Sequence, residues 1–261
     1  MKGVVLCGGT GSRLGDLTKV TNKHLLPIYN KPMVYYPLET LAKAGIKEVM
    51  VVVSGPYSGN FIPLLKNGEQ FGFNRLVYGY QEKQDGGIAD ALNVARDFAE
   101  NESITVILGD NVTDADISKD VNDFVKMVDD DQSFQGSDPR AKIFIKKVPD
   151  PSRYGVPEFK TLYRRGIKLN SKIKRIIEKP KNPPSNYAVT GLYMYDSEVF
   201  NFIDQISPSE RGELEITDIN NMYINDEFGK LDYNILNGYW QDAGTFDSLY
   251  EANKYWYEKN K

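Results

Sequence analysis

Glycines and cations cluster near the start of the chain. Gly8, Gly9 and Gly11 lie within four positions, Ser12-Arg13 follows at once, and Lys23 lies ten residues further on. Glycines let a backbone approach a ligand closely, and their N–H groups can converge on a concavity that accepts phosphate oxygens. A guanidinium and an ammonium beside such a loop could neutralise a polyphosphate. These residue types predict a phosphate-binding loop, although a plain structural turn could carry the same glycines.

Two common phosphate-binding patterns do not fit this loop. A Walker-type P-loop needs Lys-Ser/Thr directly after its last glycine, whereas Gly11 is followed by Ser12-Arg13. A dinucleotide fingerprint needs G-x-G-x-x-G, and Leu14 stands where the third glycine belongs. No acidic residue closes a strand about twenty residues later, as that fingerprint requires. The spacing therefore disfavours a P-loop NTPase and a dinucleotide-dependent oxidoreductase.

Alternating strands and helices are predicted to position the loop. Apolar runs such as 49–53 and 104–108 are typical of buried strands, and the residues between them show helical spacing. The pattern predicts strands near 2–7, 49–53, 74–80 and 104–108, and helices near 33–44, 58–66, 88–99 and 118–129, the last with Ser118 as its N-cap. Repeated βα units indicate a mostly parallel sheet covered on both faces. Ligands of such sheets bind at the carboxyl ends of strands, where residues 8–13 and Asp110 lie.

The second half of the chain shows a less regular pattern. Its turn-rich segment 133–139 is predicted to be a loop rather than a domain linker. Strands are predicted near 141–148, 173–178 and 188–195, and helices near 197–204, 215–225 and 246–258. The last helix brings five residues, most of them apolar or aromatic, close to one stripe, which we expect to pack on the body or on another subunit: Leu249, Tyr250, Asn253, Trp256 and Tyr257.

Composition places the chain among ordinary globular proteins. Its 261 residues are 41% hydrophobic and 26% charged, and this length suits one large α/β domain or one domain with an appendage. A net charge of −4 gives no support to nucleic-acid binding. No apolar stretch approaches the roughly 18 residues that span a bilayer, and the first strand begins too early for a signal peptide, so we expect a cytoplasmic protein without a membrane partner. The single cysteine, Cys7, excludes an internal disulfide and is interpreted as a small core residue, and His24 is interpreted as structural.

The opening string, taken as a whole, carries a family resemblance. GGTGSRL, followed by Thr21-Asn22-Lys23, Leu25-Leu26-Pro27 and Lys31-Pro32-Met33, resembles the sugar-1-phosphate nucleotidylyltransferases, and most of all the glucose-1-phosphate thymidylyltransferases. The resemblance runs to about residue 250. It implies a Rossmann-like three-layer α/β sandwich with a mostly parallel mixed sheet, the nucleotide-diphospho-sugar transferase fold. It also implies a single domain over 1–261, with a nucleotide-binding half at about 1–130, a sugar-phosphate-binding half at about 131–245 and a C-terminal helix at 246–258.

The resemblance also implies a nucleotide site with a Mg²⁺ ion. A glutamine amide, which has both a donor and an acceptor, would pair with the base beside a glycine backbone. The residues implied in nucleotide binding are Gly8, Gly9, Gly11, Ser12, Arg13, Lys23, Gln81, Gly86, Gly87, Asp110 and Asn111. Asp110 and Asp242 are implied as metal ligands, and two carboxylates completed by phosphate and water oxygens suit Mg²⁺. Each aspartate could instead cap a turn or helix.

The implied sugar-phosphate site is spread over the second half of the chain. Its residues are Tyr154, Gly155, Glu178, Lys179, Val189, Thr190, Tyr193 and Arg211. By the resemblance, the backbone at 155 and 189 and the carboxylate of Glu178 would bind sugar hydroxyls, whereas Lys179 and Arg211 would face the phosphate. Tyr154 could instead be a packing residue.

The implied reaction is Mg²⁺-dependent transfer of a thymidylyl group from dTTP to α-D-glucose 1-phosphate, which gives dTDP-glucose for deoxysugar and surface-polysaccharide synthesis. The catalytic residues would be Arg13, Lys23, Asp110 and Lys179. The same chemistry with UTP, CTP or another sugar 1-phosphate is an alternative, and so is a non-catalytic nucleotide-sugar sensor. A homo-oligomer, either a dimer or a tetramer, is expected. The chain ends soon after residues 240–251, which resembles the short form of the family, so the resemblance does not carry over the feedback at a second nucleotide site that is associated with the long form.

Overall fold

The first half of the chain alternates strands and helices, as its apolar runs predict. The structure is a computed structural model that describes residues 1–129, 140–164, 167–225 and 230–261. The first half contains β1 (Lys2–Cys7), β2 (Pro27–Ile28), β3 (Lys31–Pro32), α1 (Tyr35–Lys43), β4 (Glu48–Val53), α2 (Phe61–Leu65), β5 (Arg75–Tyr80), α3 (Ile88–Asn93), α4 (Arg96–Ala99), β6 (Ile104–Leu108), β7 (Asn111–Thr113) and α5 (Ser118–Asp129). Short 3-10 turns cover Ser12–Lys19, Lys23–Leu25, Ser58–Asn60 and Glu69–Phe71.

Strands dominate the beginning of the second half, and helices follow them. The elements are β8 (Ala141–Lys147), β9 (Gly155–Arg164), β10 (Ile167–Glu178), β11 (Tyr187–Tyr195), α6 (Glu198–Ile203), α7 (Ile216–Asn225), β12 (Leu231–Ile235), β13 (Trp240–Asp242) and α8 (Phe246–Lys259). The predicted loop at 133–139 lies outside the described residues. No helix in the described part of the chain is both long and apolar enough to cross a membrane.

Seven strands of the described residues form the central sheet, in the order β12-β8-β11-β6-β1-β4-β5. β1 is parallel to both of its neighbours, β4 and β6, and β4 is parallel to β5. β11 runs antiparallel to β6 and β8. The sheet is therefore mixed and mostly parallel, as predicted, and the carboxyl ends of β1, β4, β5 and β6 lie along one edge.

Helices cover both faces of this sheet. Alternate residues of β1 point to opposite faces because a strand has a two-residue period. Val4 and Leu6 pack in a core with α3, α6 and α7, whereas Val5 and Cys7 pack in a core with α1, α2 and α5. This arrangement is the three-layer α/β sandwich that the sequence predicts.

Several local predictions were wrong. The hairpin β9–β10 was predicted only in its last part, near 173–178, and β12 was not predicted. The hairpin is polar, with Glu158 contacting Lys174 at 2.8 Å and Arg175 at 2.6 Å, so it has no apolar run to mark it. The predicted helix at 88–99 is divided, because Ala95 (φ −88°, ψ 3°) departs from helical geometry. At the start of α5 the Asp116 carboxylate accepts from the Ser118 amide, so Asp116 supplies the capping oxygen.

The last helix packs on the body of the same chain along part of the predicted stripe. Leu249 and Trp256 lie against a small core that includes Met33 and Tyr36. Asn253 accepts from the Tyr29 amide at 2.7 Å. Tyr250 and Tyr257 remain exposed, so the stripe divides into an inner and an outer edge.

Candidate active site

A cavity of about 680 Å³ opens where the parallel strands of the sheet end. Its volume is in the range of small-molecule sites. Most residues that the sequence predicted for the nucleotide, sugar-phosphate and metal sites line this cavity: Gly8, Gly9, Ser12, Arg13, Lys23, Gln81, Gly87, Asp110, Asn111, Tyr154, Gly155, Glu178, Lys179, Val189, Tyr193, Arg211 and Asp242. The structure therefore brings the residues predicted for the nucleotide and those predicted for the sugar phosphate to the same cavity.

Three predicted residues do not line the cavity. Thr190 is fully buried and donates its hydroxyl to the Phe144 carbonyl at 2.9 Å. Its neighbours Val189 and Gly191 line the cavity instead, because successive strand residues point to opposite faces. Gly11 and Gly86 shape the loops on which other residues reach the cavity.

The glycine loop has the open backbone that its sequence predicts. Gly9 has φ +92°, and a β-carbon there would meet nothing within 4 Å, so the loop is open on that side, while the Gly9 N–H donates to the Ser54 hydroxyl at 3.2 Å. Gly11 has φ +65°, and a β-carbon there would lie 2.7 Å from Thr18, so this position needs glycine for its conformation and for space. Arg13 is exposed, and no carboxylate of the described residues forms an ion pair with it. Its guanidinium is thus available to an anionic ligand.

Lys23 is held by the buried residues on either side of it. The Asn22 amide donates to the Cys7 carbonyl at 3.3 Å, and its oxygen accepts from the His24 backbone at 2.9 Å. Burial, together with the charge of Lys23, lowers the pKa of His24 to about 3. His24 is therefore a neutral positioning group, which fits its interpretation as structural. Asn22 was not predicted as a site residue. Its position in the sequence, directly before Lys23, is the one signal that could have indicated that it helps to position this lysine.

Two carboxylates meet beside Lys23. The Lys23 ammonium lies 2.5 Å from Asp110, and Asn111 also donates to that carboxylate at 3.1 Å. Burial by itself would raise the pKa of Asp110, but the Lys23 charge and these hydrogen bonds hold it well below the ordinary aspartate range. Burial and the negative charge of Asp110 raise the pKa of Asp242. The low pKa keeps Asp110 ionised at neutral pH.

This pair suits a divalent cation that takes its other ligands from substrate and water. Asp242 is aligned with Asn111 in the β7–β13 ladder, and the Asp110 carbonyl accepts from Ala243 at 2.9 Å. The described residues contain no cluster of three or more acidic, histidine or cysteine ligands, so a closed protein cage for a metal is not found there. Mg²⁺ commonly binds one or two carboxylates and completes its shell with phosphate and water oxygens. Asp242 does not cap α8, because Thr245 and Ser248 form the capping box of that helix.

Replacing Asp242 by asparagine should stabilise the metal-free protein. The raised folded-state pKa means that the ionised carboxylate destabilises the folded chain at neutral pH. We expect a melting temperature about 2 to 4 °C higher in EDTA, or ~1 kcal/mol for a chain of this size. The difference should shrink as pH falls, since the wild-type carboxyl then takes up a proton. A lower melting temperature for Asp242→Asn at neutral pH would contradict this electrostatic assignment.

The predicted base pocket is formed by Gln81 and the start of α3. Gln81 is 2% exposed, and its amide nitrogen donates to Asp90 at 2.8 Å and to the Gly87 carbonyl at 3.3 Å. Gly87 has φ +94°, and a β-carbon there would lie 2.5 Å from the Leu214 carbonyl. Only glycine fits this position without displacing the segment around Leu214.

The predicted sugar-phosphate residues meet at the base of the β9–β10 hairpin. Gly155 is paired with Glu178, and Thr217 donates to the Glu178 carboxylate at 2.5 Å. Lys179 follows with φ +42° and places its ammonium 3.5 Å from the same carboxylate. The Tyr154 ring lies edge-on to Trp240, with centroids 5.6 Å apart, so this tyrosine packs and lines the cavity at the same time.

Arg211 is more strongly neutralised than the sequence suggests. Its guanidinium lies 2.8 Å from Glu215 and 2.9 Å from Glu213. Lys179 has the weaker carboxylate contact and is the freer cation for a phosphate on this side. Several lining residues were not predicted, among them Thr10, Gln84, Asp85, Ser152, Arg153, Glu213, Thr217 and Trp240. Most are neighbours of predicted residues, so adjacency along the chain is the signal that could have found them.

The comparison with known families agrees with this geometry. A family model described as nucleotidyl transferase matches residues 2–259. The chain belongs to the nucleotidyl transferase family. The family resemblance seen in the opening string is thereby confirmed, and with it the assignment of this nucleotidyl transferase as an enzyme.

Curated relatives and solved structures cover nearly the whole of this nucleotidyl transferase. A glucose-1-phosphate thymidylyltransferase of Neisseria meningitidis is 39% identical over 97% of this chain and 81% of its own length. One of Xanthomonas campestris pv. campestris is 40% identical over 96% of this chain and 79% of its own length. A crystal structure from Bacillus anthracis, provisionally assigned as a glucose-1-phosphate thymidylyltransferase and containing sucrose, is 44% identical. It aligns with a TM-score of 0.83 over 98% of this chain and 94% of that one.

A more distant structure supports the fold alone. A UDP-glucose pyrophosphorylase complexed with UDP-glucose is 23% identical and aligns with a TM-score of 0.77 over 99% of this chain and 98% of that one. The predicted Rossmann-like fold class is therefore confirmed both by the sheet and by its structural neighbours.

Proposed function

We propose that this nucleotidyl transferase moves a thymidylyl group from dTTP to α-D-glucose 1-phosphate and releases diphosphate. The observation that carries the proposal is the shared cavity. One part of its lining offers a glycine backbone, Arg13 and Lys23, which suit a triphosphate, and another offers Glu178, Gly155 and Lys179, which suit a sugar phosphate. The curated relatives named glucose-1-phosphate thymidylyltransferase support this choice of substrates. The dTDP-glucose formed would feed deoxysugar and surface-polysaccharide synthesis.

The positions of these residues along the chain support a nucleotide-binding half and a sugar-phosphate-binding half. The groups proposed for dTTP lie between Gly8 and Asn111, which is consistent with a nucleotide half at about 1–130. The groups proposed for the sugar phosphate lie between Tyr154 and Arg211, within the half at about 131–245. Asp242 belongs to the second half by position, yet it would act with Asp110 of the first.

The chemistry needs positioning and charge neutralisation more than proton transfer. A phosphate monoester has its second pKa near 6, so the attacking oxygen of glucose 1-phosphate is ionised at neutral pH. It would attack the α-phosphorus of dTTP in line while diphosphate leaves from the opposite side. No general base is required, which is consistent with the neutral, buried state of His24.

Each cation would stabilise a different part of the reacting system. Arg13 and the N–H groups of the glycine loop would hold the departing diphosphate, and a guanidinium can do so in bidentate fashion. Lys23 would neutralise charge at the α-phosphate, and Lys179 would align the attacking phosphate. Electrostatic stabilisation by preorganised donors of this kind is often the largest single term in catalysis.

Asp110 and Asp242 would hold the Mg²⁺ ion. Bound there, the ion would act as a Lewis acid that neutralises charge on the phosphate oxygens of both substrates. The low pKa of Asp110 keeps a carboxylate ready for the ion at neutral pH, and a bound cation would offset both the burial and the repulsion from Asp110 that raise the pKa of Asp242.

A cytoplasmic location and self-association complete the proposal. Both substrates are phosphate esters, whose charge keeps them from crossing membranes unaided, so the enzyme would work where they are made. The exposed rings of Phe246, Tyr250 and Tyr257 on α8 offer an apolar surface for a dimer or tetramer. Light scattering on the purified protein would measure the mass of the particle and test the oligomer.

A panel of nucleotides tests the substrate assignment. Diphosphate release would be followed with glucose 1-phosphate and Mg²⁺ and with dTTP, UTP, CTP, ATP or GTP in turn. Release chiefly with dTTP is expected. Release chiefly with another nucleotide would overturn the specificity, and no release with any nucleotide or with other sugar phosphates would favour the sensor alternative.

A further inference from the structure

The amide of Gln81 has one chemically allowed orientation. Its side chain reaches Asp90, which lies on α3, at 2.8 Å, and the Gly87 carbonyl at 3.3 Å. Both partners are acceptors without a hydrogen of their own, so both contacts require the NH₂ end of the amide. Turning the amide over would set its oxygen against the Asp90 carboxylate.

The oxygen end of the amide points the other way, toward the glycine loop. A β-carbon on Gly8 would overlap Gln81 Oε1, so the missing side chain at Gly8 is what makes room for this oxygen. Gln81 lines the cavity, and none of the described residues donates a hydrogen bond to Oε1. Asp90 itself does not line the cavity. The side chain of Gln81 therefore offers the cavity an acceptor, and its donors are turned away.

We propose that Asp90 is a positioning residue that fixes Gln81 as a hydrogen-bond acceptor and thereby selects the nucleobase. The pocket would accept a pyrimidine that carries an N–H at ring position 3, as thymine and uracil do. It would reject cytosine, whose ring nitrogen at that position is itself an acceptor. The inference rests on the proposed function, because it takes Gln81 as the residue that meets the base.

The cost of the mismatch explains the selectivity. With cytosine, two acceptors would face each other in a buried site, and a buried group without its partner loses the full cost of its desolvation. Rotation of the amide would remove that clash but create another, between Oε1 and the Asp90 carboxylate. A hydrogen bond to a charged group is among the stronger ones, so the wild-type residue pair resists this rotation.

The test uses two nucleotides that differ only in the pairing edge of the base. Dissociation constants for dUTP and dCTP would be measured by calorimetry on the wild type and on Asp90→Asn. An asparagine can accept from the NH₂ end of Gln81 or donate to its oxygen end, so it no longer selects one orientation, and only the 3.3 Å contact with the Gly87 carbonyl still opposes rotation of the amide. The wild type should prefer dUTP, and Asp90→Asn should lose about tenfold or more of that preference, chiefly through tighter binding of dCTP. Asp97→Asn, an exposed change on α4, is the matched control and should keep the wild-type ratio.

A paired exchange provides a second arm. Gln81→Glu combined with Asp90→Asn keeps the total charge and again leaves only acceptor oxygens toward the cavity, although it loses the 3.3 Å hydrogen bond to the Gly87 carbonyl. Part of the preference for dUTP should therefore return at about pH 8, where carboxylates are ionised. An unchanged dUTP-to-dCTP ratio in Asp90→Asn would overturn the inference. This test measures binding, so its failure can be told apart from failure of the proposed function. The proposed function fails if the wild type releases no diphosphate with any nucleotide and sugar phosphate.

Discussion

Asp110→Asn is expected to lower kcat for diphosphate release by about a thousandfold while the protein stays folded. Loss of a single preorganised electrostatic group in an active site commonly costs 10²–10³ in rate, and Asp110 would serve two groups, the metal and Lys23. Asparagine has the same shape, so it can still accept from Lys23, whose ammonium lies 2.5 Å away. Steady-state kinetics with saturating dTTP, glucose 1-phosphate and Mg²⁺ would measure the loss.

Two controls show whether a loss of activity in Asp110→Asn comes from unfolding. The circular dichroism spectrum of Asp110→Asn should match that of the wild type. Asp116→Asn, an exposed change a few residues along the same segment, should keep near-normal turnover. If Asp110→Asn itself turned over at a near-normal rate, its role as metal ligand would be rejected.

Arg13→Ala is expected to lower kcat by about 10²–10³-fold with no loss of stability. The guanidinium is exposed and forms no ion pair among the described residues; its charge acts on the Asp242 carboxyl only at longer range, so the fold depends little on it. Its proposed partner is the departing diphosphate, which gains charge in the transition state, so the loss should appear in kcat more than in KM.

Two further variants distinguish a specific role of Arg13 from a general effect of positive charge near the site. Arg13→Lys should recover part of the rate, since lysine keeps the charge but lacks the planar fork that binds two phosphate oxygens. Lys19→Ala removes an exposed cation at the end of the same 3-10 segment, where it pairs with Asp16 at 2.7 Å, and should have no effect. Equal losses in Arg13→Ala and Lys19→Ala would point to a diffuse charge effect and contradict the assignment.

Much of the sheet could be predicted because its strands are buried on both faces. The runs that form β1, β4 and β6 are continuous and apolar, and their parallel pairing follows from the helices between them. The position of the site followed from the same logic, since Gly8 comes directly after β1 and Asp110 lies two residues after the end of β6. Most of the β9–β10 hairpin escaped prediction because buried apolar residues such as Val156 and Ile176 alternate there with charged ones such as Glu158, so no continuous apolar run marks it.

The finer arrangement of the site depends on contacts that no local pattern encodes. Lys23 and Asp110 are 87 residues apart in the chain and 2.5 Å apart in the fold. The neutralisation of Arg211 is local by contrast, because Glu213 and Glu215 lie only two and four residues further along the chain. The orientation of Thr190 could also have been predicted. Successive strand residues point to opposite faces, so a cavity lined by Val189 cannot also be lined by the side chain of Thr190.

Transfer of the nucleotidyl group is the most direct test of the proposed function. The purified protein would be incubated with Mg²⁺, glucose 1-phosphate and dTTP labelled at the α-phosphorus, and the products would be separated by chromatography. We expect the label to move into dTDP-glucose, with one diphosphate released for each molecule formed, and EDTA to abolish the transfer. Label that stays in dTTP, or that appears as free dTMP, would contradict the proposed function.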